Sequence, residues 1–312
     1  MALLLADKRS AATRRAYEGD WKHFHLTTRP DLDAFARELF LEDMRAFLAA
    51  TPPEVGLRLL RYKSAMLDAG LAEATVNRRL AAVRSLLKFA YRLGLAQTDG
   101  RNLVDGEKVR AYRDTRGIAP ELVKELFTLP ARAHPAGSIA ALRDEAMLRV
   151  LALNGLRRAE VHQLDVRDFS YAQCTLAILG KGRGSQKETV SVVPSCADAI
   201  ARYLLAAGHK GDFDGPLFRN LDHRPDKADG RLTTRGIHWL VAGYGARIGI
   251  TNLRPHQLRH TAITQLSKRS NGNIPAIKAF SRHADANTVL IYVDNAKEEQ
   301  KRMTELLEEA YS

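Results

Sequence analysis

The chain has 312 residues, of which 45% are hydrophobic and 27% charged, so it can bury sizeable cores and is not a disordered tail. At about 100–200 residues per domain, this length predicts two domains. Lysine and arginine number 48 against 36 acidic residues, a formal net charge of +12, which favours a polyanionic partner, with nucleic acid ahead of an anionic membrane surface.

Two absences narrow the class further. Only two cysteines occur, which excludes a disulfide framework or a cysteine-rich zinc site and fits a reducing compartment. No apolar stretch approaches the length of roughly 18 residues that a membrane-spanning helix needs. We therefore expect an intracellular protein without a membrane partner.

The N-terminal region, residues 1–96, is predicted to form a compact domain of four helices. Ser10 can cap the first, in which apolar and aromatic side chains recur at helical spacing as far as Phe24. Segments 41–49 and 55–67 are the next two, separated by Thr51-Pro52-Pro53. The fourth has an apolar stripe from Val76 to Ala90 and ends at Gly94.

The fourth helix is strongly basic, with Glu73 as its single acid. A solvated basic face is the simple interpretation, and a DNA-binding face is the functional one. The candidate DNA-binding residues of this helix are Arg78, Arg79, Arg84 and Lys88.

Residues 97–117 lose the apolar period and are polar and basic, so we predict an interdomain linker. Residues 1–118 contain 21 basic and 15 acidic residues, and the remainder contains 27 and 21. The excess is six on each side, which predicts that both domains grip the partner.

Residues 118–312 are predicted to form a second domain in which helices surround a small antiparallel sheet. The predicted strands are 166–169, 175–179 and 188–193, with a glycine-rich turn between the last two. The predicted helices are 119–127, 138–154, 196–206, 234–248, 256–270, 274–280, 286–292 and 295–310. The fold class is therefore mainly α with a small antiparallel β-sheet.

Two motifs come before and within the sheet. In Asn154-Gly-Leu-Arg157-Arg-Ala-Glu160, the arginine lies near a helix N-terminus, where backbone N–H groups favour an anion. An ordinary surface arginine in a capping turn is the alternative. The hairpin Gly180-Lys181-Gly-Arg183-Gly lacks the Ser or Thr and the upstream glycine of a phosphate loop. It displays a lysine that is either functional or merely solvated.

Two further motifs lie near the C-terminus. In Pro255-His256-Gln-Leu-Arg259-His260 the three polar side chains share one side of a helix. Gln257 replaces the glutamate of a zinc peptidase, so an oxyanion site fits better than a metal site. Beyond them, His283 precedes Tyr292 by nine residues; taken singly, these two would be a capping residue and a core aromatic.

Together and in this order, the four motifs resemble the catalytic boxes of the tyrosine recombinases, the phage-integrase family that includes the Xer-type enzymes. The resemblance covers nearly the whole chain, with a helical (SAM-like) core-binding domain, a basic linker and a catalytic domain. Two positions depart from the family pattern. Arg282 stands where a glycine is usual before the histidine, and Asn154 stands where a threonine is usual before Gly155.

The resemblance implies a site-specific recombinase that cleaves and rejoins double-stranded DNA through a covalent 3′-phosphotyrosine, in integration, excision or dimer resolution. It implies no metal and no cofactor, a tetramer formed on DNA through the C-terminal helix, and a cytoplasmic, nucleoid-associated location. The alternatives are a type IB topoisomerase and a catalytically silent DNA-binding regulator. The implied roles are Tyr292 as nucleophile, Arg157 and Arg259 as phosphate ligands, Lys181, His256 and His283 as proton or hydrogen-bond partners, Glu160 and His260 as supporting groups, and Arg183 as a DNA contact.

Overall fold

The computed structural model describes residues 5–6, 11–29, 31, 35–109, 117–135, 137–180, 186–221, 230–283, 288–290 and 296–311. The chain divides into two compact units, Met1–Tyr112 and Arg113–Ser312. Lys181, Arg183 and Tyr292 lie outside the described residues.

The described residues of the first unit include the four helices that the apolar periodicity predicts. The third starts at Pro52, three residues before the predicted segment, because proline suits a first helical turn and the Glu54 carboxylate accepts the Thr51 backbone N–H at 2.8 Å. The helices are α1 (Ala11–Thr28), α2 (Arg37–Ala49), α3 (Pro52–Asp68) and α4 (Glu73–Arg92).

The core of the first unit lies along α4, whose apolar stripe is fully buried. Trp21 of α1 is also buried and donates its indole N–H to the carbonyl of Ala82 at 3.0 Å. Residues 97–109, the first part of the predicted linker, pack on this unit. Val104 joins the core, and the Asn77 side chain exchanges hydrogen bonds of 2.9 and 2.7 Å with the backbone of Glu107.

The second unit is built around a buried helix, α6, which packs against α5 and α8. Ser138 caps it by accepting the N–H of Ala141 at 3.3 Å. The helices with described bounds are α5 (Pro120–Ala133), α6 (Ile139–Leu153), α7 (Arg158–His162), α8 (Pro194–Ala206), α9 (Thr234–Arg247), α10 (Pro255–Arg269), α11 (Ile274–Ser281) and α12 (Ala296–Tyr311). Residues 288–290, within the helix predicted at 286–292, are also helical, and the rest of that segment lies outside the described residues.

A three-stranded antiparallel sheet in the order β1-β2-β3 forms one part of this unit. Its strands are β1 (Phe169–Ser170), β2 (Thr175–Leu179) and β3 (Lys187–Ser191). In the register, Ile178 pairs with Glu188. The mainly helical fold with a small antiparallel sheet is as predicted.

The strand predicted at 166–169 is wrong in most of its length. Residues Val166–Asp168 form a 3-10 turn. The Asp168 carboxylate accepts the Asp165 backbone N–H at 2.9 Å and a hydrogen bond from the Lys187 ammonium at 2.6 Å. This aspartate therefore closes the turn and binds it to β3, and pairing with β2 starts only at Phe169.

Within the described ranges, no helix has both the length and the apolar character needed to cross a bilayer.

Candidate active site: two arginines and a histidine around one cavity

Arg157 is positioned by the turn after α6. Gly155 has φ +55°, and a Cβ there would come within 3.0 Å of the Phe280 ring, so the turn requires glycine. The chain then restarts at α7 with Arg157 as its N-cap residue. The neighbouring Asn154 is buried and donates its side-chain amide to the Ser191 carbonyl at 2.9 Å, which ties the turn to the end of β3.

Glu160 holds Arg157 in place from within α7. One carboxylate oxygen accepts the Arg157 backbone N–H and the other accepts its guanidinium, both at 2.7 Å. The Glu160 side chain is only 2% exposed, whereas that of Arg157 is 25% exposed. The arginine therefore keeps part of its guanidinium towards solvent while its orientation is set by a buried anion.

Arg259 joins three of the motifs. It is 1% exposed, and its two terminal nitrogens donate to the carbonyls of Gly155 and Ser281. The second nitrogen also lies 3.2 Å from Nε2 of His283. A guanidinium has several donors in a fixed plane, so one side chain on α10 binds the Gly155 turn, the end of α11 and the histidine.

His283 is held as a neutral ring. Burial, followed by the positive charges of Arg259 and Arg157, lowers its pKa from 6.5 to about 4. Because arginine only donates, Nε2 accepts the hydrogen bond from Arg259 and the ring proton lies on Nδ1.

His256 and His260 lie one turn apart on α10, with ring centroids 4.1 Å apart and planes at 79°. His256 is exposed and His260 is buried, so the first faces solvent and the second supports it. Among the described residues, no group of three or more His, Cys, Asp or Glu side chains could hold a metal ion.

A cavity of about 420 Å³ opens between α7, α9 and α10. Arg157, His256 and Arg259 all line it, so the structure brings together two of the motifs at one surface. It also shows three polar lining residues that were not singled out from the sequence. Arg158 lies inside the first motif, Arg254 directly precedes Pro255, and His238 has no local signal because it comes from α9.

Arg282, which stands where the family pattern has a glycine, lies beside this cavity. The residue has a left-handed backbone, φ +55° and ψ +36°, at the end of α11. Its guanidinium lies 3.0 Å from Glu160 and donates to the Phe280 carbonyl at 2.9 Å. Its own carbonyl lies 3.4 Å from a nitrogen of Arg157.

Lys181, Arg183 and Tyr292 lie outside the described residues, but residues close to them in sequence make defined contacts. Lys187, at the first residue of β3 and just beyond the hairpin of Lys181 and Arg183, pairs with Asp168. Val289 is fully buried against Ile263 and Ile277. Val289 therefore packs on α10 and α11.

The candidate DNA-binding face of α4 is partly occupied by contacts within its own unit. Arg78 pairs with Asp20, Arg79 contacts His23, and Arg84 donates to a backbone carbonyl. Lys88 is exposed.

The model of the phage integrase family matches residues 118–299. The chain is 38% identical to a tyrosine recombinase of Synechococcus elongatus over 98% of this chain and 92% of that protein. It is 30% identical to the tyrosine recombinase XerC of Roseiflexus castenholzii over 92% and 85%. A crystal structure of XerH bound to palindromic difH substrate superposes with a TM-score of 0.61 at 20% identity, covering 81% of this chain and 70% of that chain. A lambda integrase dimer bound to a core site also gives 0.61 at 12% identity, covering 92% and 93%.

Four arginines line the cavity, and the sequence matches specify the class of protein. The chain belongs to the phage integrase family of tyrosine recombinases. Its activity is site-specific DNA recombination by strand exchange; neither the topoisomerase nor the silent regulator is favoured.

Proposed function

We propose that this chain cleaves DNA by attack of the Tyr292 hydroxyl on a phosphate held by Arg157 and Arg259. The observation that carries the proposal is the position of Arg259, whose fixed guanidinium binds the Gly155 turn, the end of α11 and His283 at once. The turn that carries Arg157 and the start of α10 thereby line one cavity, and Arg259 binds the end of α11 and His283 next to it.

The two arginines supply what the reaction needs. Negative charge grows on the non-bridging phosphate oxygens during attack, and preorganised guanidinium groups stabilise it. Arg157 is aligned by Glu160, and Arg259 by two backbone carbonyls, so little reorganisation accompanies the step. His283 is neutral at pH 7, and its Nδ1–H can donate a hydrogen bond to a phosphate oxygen.

The proton transfers complete the scheme. A tyrosine hydroxyl has an unperturbed pKa near 10, so His256 at the rim is proposed as the group that accepts its proton. The P–O5′ bond breaks as the Tyr292–phosphate bond forms, and Lys181 is proposed to protonate the departing 5′ oxygen. Attack by a 5′-hydroxyl of another strand reverses these steps, so the bond energy is conserved and the strands are rejoined.

The nucleophile is tested with a DNA site that carries a nick near the cleavage position, so that the adduct is trapped. Wild-type protein should form a covalent protein–DNA adduct on denaturing gels, and Tyr292→Phe should form none while still binding the site. Tyr171→Phe is the matched control, because its hydroxyl contacts Asp198 at 2.9 Å on an exposed surface. Adducts that persist in Tyr292→Phe would refute the assignment.

We further propose that four protomers assemble on two DNA sites through α12. Residues 304–311 of this helix are exposed, and Leu306, Leu307 and Tyr311 are 47%, 57% and 87% exposed. The same unit carries a groove of about 770 Å³ with apolar Leu205 and Phe213.

Charge also favours this pairing between copies. The second half of α12 contains three acids, Glu305, Glu308 and Glu309. The groove is lined by one acid, Asp198, and by three cations, Arg149, Arg202 and Lys210. Truncation after Asn295 should weaken pairing of two sites more than binding to one site, as measured by gel mobility. Equal losses in both would contradict docking between protomers.

The recombinase would act in the cytoplasm, associated with the nucleoid.

A further inference from the structure

Arg282 occupies a position whose backbone suits glycine. With φ +55° and ψ +36° it lies in the left-handed region, which costs free energy for any residue with a Cβ. Its side chain is nevertheless buried, with only 8% exposed. A long charged side chain held in a strained backbone needs a compensating interaction.

The contacts of Arg282 supply that interaction. Its Nη2 lies 3.0 Å from Glu160 Oε2, and its Nη1 donates to the Phe280 carbonyl at 2.9 Å. On the other side, its Nε lies 3.6 Å from Glu188 Oε1. Glu188 belongs to β3, the strand that follows the Lys181 hairpin.

Arg282 therefore connects three proposed parts of the site. Through Glu160 it reaches the carboxylate that aligns Arg157, and its own carbonyl lies 3.4 Å from that arginine's Nη2. Through Glu188 it reaches the strand of the hairpin. Along the backbone it is directly joined to His283.

We propose that Arg282 is a positioning residue that locks Glu160, and through it Arg157, to the His283 turn and to β3. The inference rests on the proposed roles of Arg157, Lys181 and His283. The guanidinium shares the negative charge of Glu160, so that this carboxylate orients Arg157 without neutralising it fully. Arg157 then keeps more positive charge for the phosphate.

This role predicts an effect on the chemical step and little effect on DNA binding. The guanidinium of Arg282 is buried behind Arg157, so its removal changes no exposed cation. A displacement of about 1 Å in a phosphate ligand can cost on the order of 100-fold in rate. We expect Arg282→Gly to lower the cleavage rate by about 10–100-fold.

The experiment measures single-turnover adduct formation on the nicked site at saturating protein, together with the dissociation constant for an intact site and the melting temperature. Arg282→Gly relieves the left-handed strain and removes the side chain. Arg282→Lys keeps the charge but lacks the planar guanidinium whose separate nitrogens bind Glu160 and the Phe280 carbonyl. Lys278→Ala is the matched control, because it removes an exposed cation from the same helix.

The expected result is a rate ordered wild type, Arg282→Lys, Arg282→Gly, with dissociation constants within about threefold of one another and Lys278→Ala at the wild-type rate. An Arg282→Gly rate within about twofold of wild type would overturn the positioning role. So would a loss of rate matched by an equal loss of DNA affinity and of melting temperature, which would mark a purely structural residue. Failure of wild-type protein to form any adduct would instead overturn the proposed function, and this inference with it.

Discussion

Replacement of Glu160 provides a sensitive test of how this site is held together. The carboxylate is 2% exposed and binds the Arg157 backbone N–H, the Arg157 guanidinium and the Arg282 guanidinium. Glu160→Ala removes all three acceptors and leaves the 8% exposed guanidinium of Arg282 without this partner.

The structure sets the expected magnitudes. Breaking a buried ion pair by removing one partner costs about 3–5 kcal/mol. Glu160→Gln keeps a carbonyl oxygen for the Arg157 N–H and loses only the charge-assisted part, roughly 1.5–3 kcal/mol. The two variants should therefore form a graded pair.

Urea unfolding of the full chain, followed by circular dichroism, measures the change. At a typical dependence of about 3 kcal/mol per molar urea, Glu160→Ala should lower the midpoint by on the order of 1 M. Glu145→Ala is the control, since Glu145 also pairs with two arginines, Arg149 and Arg202, at 2.9 and 3.1 Å but is 15% exposed. That variant should cost about 1 kcal/mol or less. Equal, small losses for both variants would refute the reasoning that burial of the Glu160 charge decides the outcome.

Three further predictions test other contacts of the described residues. Arg259→Lys should abolish adduct formation, measured on the nicked site, because lysine lacks the planar guanidinium whose two terminal nitrogens each bind one carbonyl, of Gly155 and of Ser281. The pKa of His283 is 6.5 in the unfolded chain and about 4 in the folded one, so the unfolded state binds more protons and stability falls as the pH drops from 6.5 to 4. His283→Gln should make that fall shallower in thermal melts at pH 4–7. Lys88→Gln should leave the melting temperature unchanged. A contact of Lys88 with one phosphate predicts that this variant reduces the slope of log affinity against log salt by about 0.9. An unchanged slope would exclude that contact.

Much of the fold follows from local patterns in the sequence. The apolar stripe of α4 is buried along its length, and the segments around it are helices as predicted. The strand expected at 166–169 failed because alternation of side chains cannot reveal that Asp168 binds both its own turn and Lys187 from β3. The linker prediction at 97–117 likewise missed that Val104 and Glu107 pack on the first unit, because these contacts depend on partners some 30 residues earlier in α4.

The residue types of the site were also evident in the sequence. Arg157, Arg259, His256 and His283 could be named because short motifs keep their order and spacing. Lys181 and Tyr292 stay predictions from the same motifs. The length of the chain also indicated two domains, and its net positive charge indicated a nucleic-acid partner.

Only the tertiary structure decided which of these groups act on one another. His238 enters the cavity from α9, and Arg78, Arg79 and Arg84 turn to partners within their own unit. Arg282, in sequence merely a departure from a glycine, proves to bind Glu160 across 122 residues of chain. Local sequence fixes backbone preference and side-chain chemistry, but the distance between two charges, and therefore their interaction energy and pKa values, exists only once the chain has packed.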